Sequence, residues 1–492
     1  MLLSNGTTYM QERVHWGVHH IAPVNCMHLH NIKFFRSEST RFPKNFVRYL
    51  NEPFAESRVL VRQGFFEHKE GLHPNLRERK WYPANHFKGA KSNVYVRQAW
   101  LFSFDEWMEM SPCERRELFF STLDLSPYAA KLRSSTPQGA KPISREAILR
   151  AFLAAPLEGI STFTQLHRRL ESDLRFRYQC GFSLHESIPS VSTLSRVFQA
   201  IVDKGVAATL FAELVRQCRD EGLIEGEHVA IDSTAIHAYE RKHPRSGVQP
   251  SNRANWGAKF DAFGNKLAWF GYKVHLAVDA KSELPMALTV TPANVYDGEM
   301  AIPLMEELHH HDWRIRFVLM DAGYDQTKNY EAARALGAQA IIPMNRRNEK
   351  EPPEGMDFDG TPRCTMGYRM TYWGVHNAWL KFRCPHATGQ VDCPLGMAAC
   401  SASNYGMVVK KHLDEDVRRY ANPHRGSRTW KMLYDERTAI ERCFARLKEW
   451  LTLDGVHVRG IEKVTVHAYI HAIVLLASAL AMHRTNRIEQ VA

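Results

Sequence analysis

What most restricts the fold of this chain is the order of patterned segments after residue 227. HVAID is a short apolar run ending in an acid, and GYKVHLAVD (271–279) alternates as a strand does. LPMALTVTPAN pairs with it through the turn AKSE, and DGEMAIPLMEEL reads as a helix with Asp297 as its cap. RFVLMD then ends a further strand in an acid, followed by the helix TKNYEAARALG and the strand AQAIIP. Strands as apolar as HVAID and RFVLMD belong in the middle of a sheet, so Asp232 and Asp321 should each emerge at its edge.

Three strands, a helix, a strand, a helix and a strand is an order few folds share. The ribonuclease-H-like fold is prominent among them: an α/β architecture with a mixed sheet flanked by helices. Residues 345–430 break the order with a Gly/Pro/Cys-rich and then basic stretch, read as a β- and loop-rich insertion before the last helices. The α/β unit is therefore expected over 226–344 and 431–485. Upstream, 96–225 reads as an all-helical domain, with Ser111-Pro112 and Ser190 or Ser192 as helix starts. Arg168, Arg169, Arg175, Arg177 and Arg196 make that domain basic, which suits either a DNA-end-binding unit or a scaffold with a solvated basic face. Residues 1–95 lack sustained periodicity; they are either a basic arm or sequence read from an upstream start, with Met108 and Met110 near where regular structure begins.

A net charge of +11 favours an acidic partner, and nucleic acid is the commonest. The chain starts without a basic, then apolar, leader, and its nine cysteines suit a reducing cytoplasm. One stretch, Val464–His483, is nearly long enough to cross a bilayer, but His467 and His471 interrupt it and charges flank it. We expect a buried terminal helix and no membrane association.

The segment YDERTAIERCFARLKEW concentrates the chemistry. Tyr434, Arg437, Glu441 and Lys448 have the spacing Y-x2-R-x3-E-x6-K. On a uniform helix at about 100° per residue they share one face roughly 60° wide, holding a carboxylate, two cations and an aromatic ring. Taken alone, such a face is more often an exposed helix with an Arg437–Glu441 ion pair.

The pattern resembles the signature of bacterial insertion-sequence transposases of the DDE class, in the group with a YREK helix. IDSTAI (231–236), GYKVHLAVD, TPANVYD (291–297) and DAGYD (321–325) resemble other landmarks of that group, in the same order. The resemblance covers about 227–480. It implies that Asp232, Asp321 and Glu441 bind two Mg²⁺ ions, for which Mn²⁺ can substitute, and that Tyr434, Arg437 and Lys448 hold the transposon end. It further implies cleavage at terminal inverted repeats and 3′-hydroxyl strand transfer into target DNA, by a homodimer on double-stranded DNA at the bacterial nucleoid. Gly323 and Tyr324 would shape the turn after Asp321, Asp325 reads as a helix cap, and Lys273 and His275 are placed near the site. Trp430 reads as a packing side chain or a base-stacking one. A catalytically silent DNA-binding regulator and a nuclease without strand transfer are the competing functions.

Cys364, Cys384, Cys393 and Cys400 fall within the insertion. Four thiolates suit tetrahedral zinc, with His386 or His376 able to replace one. Their spacings are not those of paired knuckles, so unliganded thiols are the other reading.

Overall fold

The computed structural model of the chain describes residues 114–133, 143–242, 253–260, 263–347 and 349–489. The expectations for 1–95, and for 96–113 of the helical region, lie outside the described residues.

Among the described residues seven helices come first: α1 (Glu114–Ser121), α2 (Ser126–Lys131), α3 (Arg145–Leu157), α4 (Phe163–Ser172), α5 (Leu174–Gln179), α6 (Val191–Asp203) and α7 (Val206–Asp220). Their starts are written locally. Ser144, Thr162 and Ser190 each accept a backbone N–H of the first turn, and Thr162 forms a reciprocal capping box with Gln165.

The sheet follows: β1 (His228–His237), β2 (Asn255–Phe260), β3 (Lys266–Asp279), β4 (Pro285–Pro292), helix α8 (Ala301–His310), β5 (Phe317–Leu319), helix α9 (Thr327–Ala335) and β6 (Gln339–Ile341). Six strands form one mixed sheet ordered β2-β3-β1-β5-β6, with β4 on the other side of β3. β1 is antiparallel to β3 and parallel to β5, and β5 is parallel to β6. With the β2 extension set aside, this is the ribonuclease-H-like arrangement. β3 is longer than the alternation from Gly271 suggests, because Lys266–Gly271 pairs with β2 in a hairpin extension. At its crossing with β1, Gly271 has no room for a Cβ, which would stand 2.0 Å from the Ile236 carbonyl oxygen.

The insertion carries a separate three-stranded sheet, β7 (Thr371–His376), β8 (Trp379–Arg383) and β9 (Val408–His412). Its own small core is Met370, Leu380, Phe382 and Tyr420. The chain then returns through α10 (Arg428–Asp435), α11 (Thr438–Ala445), a π-helical turn (Arg446–Trp450) and α12 (Ile461–Glu489).

α12 joins the two halves. It packs against α3, α6 and α7 on one side and β4 on the other, so helices and sheet share one continuous core. Its Ile461–Thr485 stretch is long and apolar enough for a membrane span, yet most of its apolar window is buried inside the protein. Side chains such as Leu475, Leu476 and Leu480 each contribute about 1.5–3 kcal/mol by that burial.

Candidate active site

Register brings two acids together. In the parallel pair β1–β5, Ala230 lies opposite Leu319. Asp232 and Asp321 each come two residues later on their chains, so neighbouring backbones about 4.8 Å apart carry both carboxylates to one place. Asp321 sits just past β5, as expected of a strand end. Asp232 does not: β1 continues to His237, so this acid projects from the middle of a strand whose second half pairs, among the described residues, with β3 alone.

Both carboxyls are pushed above the usual range. Burial is the main cause at Asp232, with the Asp321 charge next, and together they raise it to about 7. Asp321 is raised by burial, against the lowering effect of the Gly323 N–H that its Oδ1 accepts at 2.8 Å. A Cβ on Gly323 would meet Asp321 Oδ1 at 2.9 Å, so a side chain there would push the carboxylate off this N–H. The Tyr324 hydroxyl is buried without a hydrogen-bond partner, and its proton is held further by the charges of Asp232, Asp297 and Asp321.

Asp297 is a site residue that pattern reading missed. It caps no helix: α8 starts at Met300 without a side-chain cap. Its carboxylate instead accepts from Ser233 Oγ (2.8 Å) and meets Lys273 Nζ (2.9 Å), beside Asp232. His275 is fully buried, hydrogen-bonds through Nε2 to Thr291 Oγ1 (2.8 Å), and is driven down to about 4 by burial. The signal lay in the sequence, since Ser233, Lys273 and Asp297 are all in the landmark segments, but the capping reading accounted for Asp297 with a local partner.

The helix carrying Glu441 is not uniform. Between Leu433 and Ile440 the backbone bonds are of the tighter i→i+3 kind, and the π turn at 446–450 then unwinds it. A constant 100° step therefore does not hold; Tyr434, Arg437 and Glu441 stay neighbours, with the Arg437 guanidinium 5.6 Å from the Tyr434 ring centroid, while Lys448 takes other partners. Tyr434 stacks on the buried Trp430, with ring centroids 5.1 Å apart. Arg437 donates to Glu441 Oε1 at 2.7 Å and reaches Asp232 Oδ2 at 3.7 Å. Lys448 Nζ is turned inward, onto the Ala235 carbonyl of β1 (2.8 Å) and Asp454 (3.1 Å). Glu441 itself is 54% exposed on its ion pair with Arg437. The structure thus brings Asp232, Asp321, Asp297 and Arg437 together and holds Glu441 just outside through Arg437.

Asp325 is no cap either. It is wholly buried and takes a forked Arg418 contact, Nε at 3.0 Å and Nη2 at 2.8 Å to Oδ2, with Tyr330 Oη at 2.8 Å on Oδ1. Arg418 belongs to the insertion, so the insertion grips the turn that follows Asp321.

The donor set fits hard divalent cations. Asp232 and Asp321 are oxygen donors crowded in a buried place where Arg437 is the cation that offsets them, and Mg²⁺ and Mn²⁺ prefer such ligands. Among the described residues no three His, Cys, Asp or Glu side chains stand close enough to hold a metal as placed, because Glu441 is engaged by Arg437. The same holds for Cys364, Cys384, Cys393 and Cys400, and the zinc reading gains no support. Cys384 is buried against Gly406, and Cys400 Sγ lies 3.2 Å from Thr365 Oγ1 instead.

These shifts set a pH dependence for the metal-free protein. The folded chain keeps the Asp232 proton to about pH 7, whereas the unfolded chain loses it near 3.8. The Asp232 contribution to stability is fullest below about pH 4 and falls as pH rises to about 7, since that carboxyl binds more protons folded than unfolded. Asp321 adds in the same direction, whereas the buried His275, His424 and His467, driven down to about 4, act in the opposite direction over that range. In thermal melts from about pH 4 to 8 the stability of Asp232→Asn relative to the parent should therefore rise with pH; a difference that does not change with pH would exclude the Asp232 contribution.

Residues 224–477 match the family described as transposase DDE domain, and residues 105–200 match a second family described as a transposase domain. Among solved structures, the chain is similar to a piggyBac transposase in a synaptic complex with hairpin DNA. That similarity has 12% identity over 77% of this chain and 76% of that one, with a TM-score of 0.35, too distant to bear on this chain's chemistry.

Proposed function

Since the chain belongs to the transposase DDE-domain family, and is therefore an enzyme that acts on DNA, we propose that Asp232, Asp321 and Glu441 form its catalytic carboxylate set. The carrying observation is the convergence of Asp232 and Asp321 from adjacent parallel strands, with Arg437 linking them to Glu441. Those three carboxylates would hold two divalent ions, Mg²⁺ or Mn²⁺, which when bound activate an attacking oxygen and stabilise the leaving one.

The chain's own groups do the rest. Arg437, drawn to a transposon-end phosphate, would release Glu441 toward Asp232 and Asp321, so that DNA engagement completes the site. Tyr434, braced on Trp430, would meet a sugar or base beside that phosphate. Lys448 would reach DNA only by leaving Ala235 and Asp454, and as placed it steadies the strand of Asp232. Lys273 holds Asp297 in place beside the acids.

In this reading the protein binds terminal inverted repeats through its basic helical region and pairs two ends as a homodimer in the bacterial cytoplasm. It hydrolyses one strand, and the exposed 3′ hydroxyl attacks target DNA. The domain division follows suit: 96–225 for end binding, 226–344 with 431–485 for catalysis, and 345–430 as an insertion.

Purified protein incubated with end DNA and Mg²⁺ should yield nicked and joined products. Asp321→Ala and Glu441→Ala should each abolish both. Nicks without joining would mean a nuclease, DNA binding without either a silent regulator, and full activity in one variant would remove that residue from the set.

A further inference from the structure

The insertion sheet has one buried face and one face that the proposed chemistry leaves unused. Along β8 the side chains alternate: Leu380 and Phe382 sink into the small core, while Trp379, Lys381 and Arg383 point the other way. Register sets Val408, Lys410 and His412 of β9 opposite Arg383, Lys381 and Trp379. A bulge in β7 between Tyr372 and Gly374 brings Trp373 to the same face.

The result is aromatic and cationic. Trp373 and Trp379 are 52% and 43% exposed. The Arg383 guanidinium lies 4.2 Å from the Trp373 ring centroid and 3.4 Å from that of Tyr405, and Lys381 Nζ stands 4.5 Å from the Tyr405 centroid. Arg383 is itself buried, so the rings are held before any ligand arrives. Among the described residues no carboxylate pairs with Lys381, Arg383 or Lys410; the nearby Glu415 pairs with Lys411, and Asp414 pairs with Arg334 and lies 3.4 Å from His412 at the edge of the face.

We propose that this face is a platform for single-stranded DNA, with unpaired bases on Trp373 and Trp379 and backbone phosphates on Lys381 and Lys410. A duplex hides the faces of its bases, whereas an unpaired strand offers both a ring to stack and a phosphate to neutralise. A second copy of the same face fits poorly, because it would set cations against cations. The inference rests on the transposase reading only in taking DNA as the partner.

The test uses the full chain and a labelled oligo-dT of about 20 nucleotides, followed by fluorescence anisotropy, beside a blunt duplex. Trp373→Ala with Trp379→Ala should weaken oligo-dT binding about tenfold and duplex binding less than about twofold. Lys381→Gln with Lys410→Gln should reduce the salt slope for oligo-dT by about 1.4. Equal loss on both DNAs overturns the single-strand assignment. No loss on either, with unchanged melting, overturns the platform, as does an altered solution mass of the tryptophan variant without a DNA effect. If strand joining by the parent protein fails while tryptophan-dependent oligo-dT binding persists, only the catalytic proposal falls.

Discussion

Asp232→Asn should cleave end DNA about a thousandfold more slowly than the parent protein while melting at a higher temperature near neutral pH. Both effects come from one carboxylate. Held metals contribute several kcal/mol of charge stabilisation to phosphoryl chemistry, and ~4 kcal/mol is a factor of about a thousand in rate. The same group is a liability in the metal-free fold. Burial and Asp321 push its pKa to about 7, so at neutral pH the chain carries a poorly tolerated charge that asparagine removes. A residue placed for packing would lose stability on substitution, so the paired readout separates function from structure. A variant that loses both activity and heat stability would count against the assignment, and so would one with near-parental cleavage.

Arg418→Met should lower the melting temperature by about 5 °C, since leaving one partner of a buried pair uncompensated costs about 3–5 kcal/mol in a chain of this length. Asp325 is fully buried and the Arg418 side chain is 12% exposed, so water can do little to replace the lost contact. Arg418 also donates to the Asn345 carbonyl (2.8 Å) and Glu349 (3.0 Å), while Asn345 donates to the Ala322 carbonyl (3.1 Å) in the turn after Asp321. Loosening this clamp should reach the site, and cleavage should fall with stability. Replacing both partners, Arg418→Met with Asp325→Leu, should recover part of the stability, because no buried charge remains. A melting temperature unchanged in the single variant would show that the insertion does not brace the turn.

Much of this was legible in the order of residues. Apolar runs of strand length and alternation in GYKVHLAVD sufficed for the sheet, because a strand two residues in period exposes its register in its own pattern. Ser190, one of the two serines read as a helix start, does cap its helix, since a cap bonds within three residues of itself. The apolar terminal stretch was readable as a helix, and its interrupting histidines pointed to burial in protein.

What stayed hidden depended on partners distant in sequence. Asp297 and Asp325 look like caps from their neighbours, yet their partners, Ser233 and Arg418, lie 64 and 93 residues away. The one-face argument for Tyr434, Arg437, Glu441 and Lys448 assumed a uniform helix. A tighter stretch before Glu441 and a π turn after it set the actual spacing, and Lys448 bonds to the Ala235 carbonyl of β1. Local patterning carried the kinds of element, their order and the presence of two acids after matching apolar runs. That β1 runs on past Asp232, that Asp297 joins the acids and that Arg437 stands between Asp232 and Glu441 came from contacts across the fold. Those choices are settled by charges and hydrogen bonds meeting across the fold, and local periodicity carries no record of them.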